Sequence, residues 1–173
     1  MSDRSDLSAI ALRDARLLVS PVETVSSDWI DYNGHLNMAY YNVLFDRGVD
    51  AAFETFGLGP DYVKVRNMSF FTMEAHTCYL GEIGAGDRTV TTFQIIDHDE
   101  KRVHYFEELY RLSDGLLSAT SEQLAMHVDM AQRKSAPFPD DVSERIKETA
   151  TSHQMISKPD RAGRVIGIRK RSD

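Results

Sequence analysis

Four runs of alternating apolar and polar residues, at 67–80, 87–97, 102–112 and 116–129, follow one segment of helical periodicity, and this order constrains the fold more than any other feature of the chain. Period-two alternation puts every second side chain on one face of a strand, as a sheet with one buried face requires. The runs are separated by Gly81-Glu82-Ile83-Gly84-Ala85-Gly86, Asp97-His98-Asp99-Glu100 and Ser113-Asp114-Gly115. These are turn compositions, so consecutive hairpins and an antiparallel sheet are expected. Ahead of the runs, Met38, Tyr41, Phe45, Val49, Ala52, Phe53 and Phe56 recur at spacings of three and four. That predicts a helix over 38–56, capped by Asn37 and stopped at Gly57 and Gly59-Pro60. Leu44, Gly48 and Ala51 fill more of its circumference with small or apolar groups, so the helix should be largely buried. Residues 22–26 read as a short first strand and 140–152 as a last helix. A buried helix with a sheet able to curl around it is an α+β arrangement.

The 173 residues fit one domain, 1–173, with a C-terminal helix and a basic tail. No apolar run approaches the roughly 20 residues needed to span a bilayer, so no membrane association is expected. The first residues lack the apolar core and cleavage site of a secretory signal, which predicts a cytoplasmic protein. A formal net charge of −7 argues against nucleic acid as a partner. Arg161, Arg164, Arg169, Lys170 and Arg171 form the basic tail, read as solvated or as a holder of substrate phosphates. Cys78 is the single cysteine, so no internal disulfide can form, and its strand context suits a buried structural thiol. The six histidines include no HxxxH pair and no cysteine partner, so neither a metal nor another cofactor is expected. Gly81, Gly84 and Gly86 do not form a dinucleotide fingerprint, and a hairpin turn accounts for them.

The segment Trp29-Ile30-Asp31-Tyr32-Asn33-Gly34-His35-Leu36-Asn37-Met38-Ala39-Tyr40 carries the candidate chemistry. Asp31 and His35 lie in a loop that runs into a helix start, whose free N–H groups suit developing negative charge. Acyl transfer needs both an attacking group and such a donor set. Turn formation by Asp31 and Asn33 and capping by Asn37 are the plainer roles for the same residues. Glu74 and His76, two apart on one strand, would point the same way, with Met68, Phe70 and Thr72 on that face as a partly apolar wall. Ion pairing at the surface is their plainer role. Lys101 and Arg102 are candidates for phosphate contacts, or simply solvated.

The pattern Asp31-x-Asn33-Gly34-His35-x-Asn37-x-x-Tyr40, leading into a long helix, resembles the signature loop of hotdog-fold acyl-CoA thioesterases of the 4-hydroxybenzoyl-CoA type. Blocks at Glu74 to Leu80, Asp97 to Arg102, Ala119 to Gln123, His127 to Asp129 and Ala162 to Gly167 are most similar to the betainyl-CoA thioesterases of carnitine breakdown. The resemblance implies a hotdog fold, an acyl-CoA substrate, and a homodimer or higher homo-oligomer with sites at the interface. It puts Asp31 in the position of the catalytic aspartate, as general base for water or as nucleophile, with His35 as orienter or proton shuttle. Asn37, Tyr40, Trp29, Glu74 and His76 are then candidate substrate contacts. A trimethylammonium group would suit aromatic faces, for which Trp29, Tyr32, Tyr41, Phe70 and Phe71 are available. A noncatalytic acyl-CoA or small-ligand binding protein, and a hotdog hydratase, are the alternatives on the same scaffold.

Overall fold

The structure, a computed structural model, describes residue 10 and residues 12–168. Its elements in chain order are β1 (Leu18–Val19), β2 (Glu23–Thr24), α1 (Met38–Thr55), α2 (Pro60–Arg66), β3 (Met68–Tyr79), β4 (Arg88–His98), β5 (Arg102–Arg111), β6 (Leu117–Asp129), β7 (Lys134–Ser135) and α3 (Asp140–His153). The sheet runs β1-β4-β5-β6-β3, with β2 also on β4 and β7 on β6, and every pairing is antiparallel. This is the expected α+β hotdog fold, with α1 as the long helix laid on the sheet. No helix among the described residues is long and apolar enough to cross a membrane.

Packing follows the helical stripe. Tyr41, Leu44, Phe45, Gly48, Val49, Ala52 and Phe53 are buried on one face of α1. Phe53 meets Phe93 and Tyr105 of the sheet edge-on, at centroid distances of 5.9 and 5.7 Å. Full burial of such a side chain contributes about 1.5–3 kcal/mol each. At Gly48 the helix comes closest to the sheet: an added Cβ would lie 2.7 Å from Thr91 Cγ2 and 2.8 Å from Glu107 Oε1. The expectation of a largely buried helix is too strong. Asn42, Asp46, Arg47 and Asp50 stay exposed, and Met38 is 64% exposed.

Three further expectations are corrected. Residues 81–86 do not close a hairpin, because β3 pairs with β6, not β4. They carry the chain from one edge strand across to β4 on the far side of β5, and of the three expected turns only those after β4 and β5 close hairpins. Gly59-Pro60 does end α1, but it also opens α2, with Pro60 at a first-turn position where its missing N–H costs nothing. The alternation in Asp61-Tyr62-Val63-Lys64-Val65-Arg66 imitates a strand, yet only Tyr62 is buried. Of the early strand expected at 22–26 only Glu23–Thr24 forms, as β2, and a separate short strand, β1 at Leu18–Val19, precedes it on the same partner.

Three register shifts shape the sheet, one of them between Leu109 and Tyr110 where β5 meets β6. The other two lie between Thr72 and Glu74 on β3 and between Ile95 and Asp97 on β4. An extra residue in a strand reverses which face each later side chain takes and increases the local twist, here around α1. Behind the β4 bulge, His153 at the end of α3 accepts the Ile95 N–H at Nδ1, 2.9 Å, and donates from Nε2 to Arg16 O, 3.0 Å.

Candidate active site

The Asp31 loop is a small closed turn. Asp31 N–H donates to His35 O and Gly34 N–H donates to Asp31 O, both at 3.0 Å, and Ile30 bridges Leu36. Gly34 takes φ +88°, a conformation that favours glycine. The Asp31 carboxylate accepts the Asn33 N–H at 2.7 Å through Oδ1, an Asx turn. The loop is tied to its surroundings by Leu36 N–H on Ile83 O, 2.8 Å, and Asn37 N–H on Trp29 O, 3.0 Å. Residues 81–86 thus form the bed on which the loop rests. Asp31 Oδ2 carries no hydrogen bond among the described residues.

Asn37 is the N-cap of α1, with extended backbone and Oδ1 accepting the Ala39 N–H at 3.0 Å. Tyr40 N–H donates to Asn37 O at 2.9 Å. Two of the first-turn donors expected to face a substrate are therefore engaged, and the Met38 N–H lies outside both bonds. Tyr40 stacks on Trp29 at 5.3 Å with the planes 12° apart, and the Arg47 guanidinium sits over the same indole at 5.3 Å. Arg47 is itself paired with Glu23. His35 Nε2 lies 3.6 Å from the carboxylate of the exposed Glu82. Asp31, His35, Asn37, Tyr40 and Trp29 are thus brought together at the start of α1.

Glu74 and His76 are not on the apolar wall expected for them. The bulge at Met73 leaves Phe70 and Thr72 facing α1, opposite His127 and Ala125, and turns Glu74 and His76 outward, opposite Leu124 and Glu122. There they line a cleft of about 510 Å³ on the outer face of the sheet, with Asp97, His104, Glu122 and Arg164. Glu122 forms its floor, accepting from Gly163 N–H at 2.7 Å and bonding His104 Nε2 at 2.8 Å. Cys78 is half-buried beside His76, with Sγ 3.9 Å from Nε2. Arg102 is held in two hydrogen bonds by Asp99, and Lys101 lies 3.6 Å from Glu100, so neither points to a phosphate in the single chain. Of the basic tail, Arg169, Lys170 and Arg171 fall outside the described residues.

The aromatic candidates are dispersed. Tyr32 is 97% exposed, Tyr41 is buried against Tyr79, Phe70 packs on Phe53 at 4.2 Å, and Phe71 faces outward opposite Met126.

Sequence reasoning missed a buried polar chain between α1 and the sheet. Tyr105 O–H donates to Gln123 Oε1 at 3.0 Å, and Gln123 Nε2 donates to Glu107 Oε2 at 2.9 Å and Ser121 Oγ at 3.0 Å. Glu107 is fully buried, and its Oε1 has no partner. Burial, with the nearby Asp46 carboxylate, raises its carboxyl well above the usual 4.5. A signal existed in the adjacent pair Glu107-Glu108. Alternation forces one of two neighbouring carboxylates in a strand to face inward. Its outward neighbour Glu108 is paired with Arg13 at 2.9 Å.

A family model described as the thioesterase-like superfamily matches residues 25–146, a span that holds both the Asp31 loop and the sheet. The chain belongs to this superfamily. It is 37% identical over 146 residues to the L-carnitine dehydrogenase/betainyl-CoA thioesterase of Rhizobium meliloti (strain 1021), an alignment covering 84% of this chain and 29% of that protein. It is 35% identical over 154 residues to the betainyl-CoA thioesterase of Pseudomonas aeruginosa, covering 89% of this chain and 97% of that one. A Staphylococcus aureus protein solved in complex with CoA has a TM-score of 0.81 to it at 33% identity, over 88% of this chain and 96% of its own.

Proposed function

We propose that this chain is an acyl-CoA thioesterase, that betainyl-CoA is the thioester it prefers, and that Asp31 is its attacking group. The observation that carries the reading is the Asp31 loop at the start of α1, in a chain of the thioesterase-like superfamily. The family and the two named relatives support hydrolysis of a CoA thioester, and their names support the acyl group. In this reading the thioester carbonyl sits over the first turn of α1. Its oxygen takes the Met38 N–H and the positive end of the helix dipole as charge develops. Asp31 Oδ2 either removes a proton from water, which adds to the carbonyl carbon, or adds itself to give a mixed anhydride that water then opens. Both routes release free acid and CoA. His35 orients the incoming group, and Asn37 fixes the loop against the helix.

The working assembly in this reading is a homodimer or higher homo-oligomer joined through β3. That strand is twelve residues long, lies at the sheet edge, and leaves Phe71, Met73 and Tyr79 each about half exposed. A long unpaired apolar edge is a template for another strand, and a second β3 would satisfy its backbone. A cytoplasmic location belongs to the same reading. The test is release of free CoA from betainyl-CoA, acetyl-CoA, butyryl-CoA, a long-chain acyl-CoA and 4-hydroxybenzoyl-CoA. Highest kcat/KM on betainyl-CoA supports the assignment. Preference for another acyl group keeps the chemistry and rejects the substrate, and no turnover across the panel rejects the enzyme.

A further inference from the structure

Asp46 and Asp50 stand four residues apart on the exposed flank of α1, with Glu54 four further on. No cation pairs with any of them among the described residues, and the neighbouring Arg47 is taken by Glu23. Like charges at this spacing destabilise a helix. The cost is visible at Asp50, whose carboxyl is raised by partial burial and by the Asp46 and Glu54 charges. Beneath this flank, at the close approach of Gly48, Glu107 turns its orphan Oε1 toward the same stretch of helix. An unpaired buried oxygen beside unpaired carboxylates marks the slot between α1 and the sheet edge as incomplete in the isolated chain.

The flank runs along the helix-facing side of β3. Thr77 Oγ1 donates to Asn42 Oδ1 at 3.4 Å and Tyr79 O–H to Met38 O at 3.3 Å, while Phe70, at the other end of the strand, packs on Phe53. Helix and strand are therefore antiparallel. If two β3 strands pair about a twofold axis, the two α1 helices also run antiparallel, and the start of one lies beside the later turns of the other.

We infer that Asp46 and Asp50 are the specificity element for a positively charged acyl group, acting across the β3 interface on the site built by the partner's Asp31 loop. This deepens the proposed thioesterase reading and rests on it. Distance decides between the two chains. A betainyl group is a trimethylated glycyl unit, so its nitrogen lies only about 2.5 Å from the carbonyl carbon. Asp46 is about 12 Å along the helix from Met38, too far to serve its own chain's loop. Carboxylates also replace the aromatic cage that the single chain does not assemble. Two anionic groups in a site closed by a partner attract a quaternary ammonium through charge and do not require ring geometry.

The test compares betainyl-CoA with 3,3-dimethylbutyryl-CoA, which has the same shape with carbon in place of the charged nitrogen. Wild-type protein should favour betainyl-CoA in kcat/KM by at least tenfold. The ratio should fall at least tenfold in Asp46→Asn/Asp50→Asn, with thermal melting confirming that the variant is folded. If wild type shows no preference for the cation, the betainyl reading fails and this inference falls with it. If wild type shows the preference and the double variant keeps it, the inference alone is overturned. Mixed dimers of Asp31→Asn with Asp46→Asn/Asp50→Asn should recover one intact site per dimer, with wild-type preference. Failure to recover it overturns the assignment across the interface.

Discussion

The loop at the start of α1 and the cleft on the outer face of the sheet both hold carboxylates and histidines that the sequence singles out, yet the fold treats them differently. The loop is specified locally. Asp31, Asn33, Gly34, His35 and Asn37 are bonded mainly to one another and to residues within eight positions, with the Leu36 N–H on Ile83 O as the tie to the segment beneath. The cleft is specified at long range. Its His104–Glu122 contact joins two strands, Gly163 reaches Glu122 from 41 residues away, and Glu74 arrives there only because of a bulge. The loop offers a carboxylate oxygen without a partner beside a helix start. The cleft offers Glu122 with both oxygens engaged and an exposed Glu74, and no helix start is among its lining residues. Only the first sets a free carboxylate oxygen beside a helix start, the pairing on which the proposed thioester attack rests.

Four variants break or sharpen this contrast. Asp31→Asn should lower kcat/KM for CoA release on the order of 100-fold or more while leaving the melting temperature near that of wild type, the usual scale for losing a catalytic acid or base. Gly48→Ala should cost about 1–3 kcal/mol in denaturant unfolding, because the added methyl meets Thr91 and Glu107 at under 3 Å. Asn37→Ala should cost about 1 kcal/mol through loss of the cap. It should also lower activity more than an equally destabilising change elsewhere, since the loop hangs from that residue. The Glu74→Gln/His76→Ala pair should change kcat/KM less than about threefold, the smallest effect, since it touches the outer face only.

The buried groups add a pH signature. Burial raises the Glu107 carboxyl well above the ordinary 4.5, so its contribution to the fold is fully present below that value. That contribution is lost as pH rises through its elevated folded value. Melting temperature in Glu107→Gln should therefore fall less between pH 5 and 8 than in wild type. His127 and His153 act in the opposite direction. Burial lowers both, with His127 Nε2 2.7 Å from Tyr62 Oη and Nδ1 2.9 Å from Ala136 O. Their stabilisation is present above 6.5 and is lost as pH falls below it. Acid melts of His127→Gln should show a weaker dependence below that value.

Local periodicity and motif spacing made the long helix, the four long strands and the Asp31 loop legible in the sequence, because each depends on neighbours within a few residues. Strand order was not. Nothing in residues 81–86 distinguishes a hairpin from a crossover, since the decision lies in β3 pairing with β6. The face of Glu74 and His76 was misread for the same reason. One extra residue at Met73 inverts the alternation, and a bulge leaves little trace in composition. Six residues of α2, Asp61 to Arg66, alternate by chance, and the polar chain at Glu107 lies among apolar strand residues.

The central claim is that thioester hydrolysis depends on the Asp31 loop and not on the outer cleft. One assay tests it directly: free CoA release from betainyl-CoA by wild type, Asp31→Asn and Glu74→Gln/His76→Ala, at equal concentrations of folded protein. The account predicts turnover by wild type, near-loss in Asp31→Asn and near-normal turnover in the cleft pair. Near-normal turnover in Asp31→Asn, or its loss in the cleft pair alone, would contradict it.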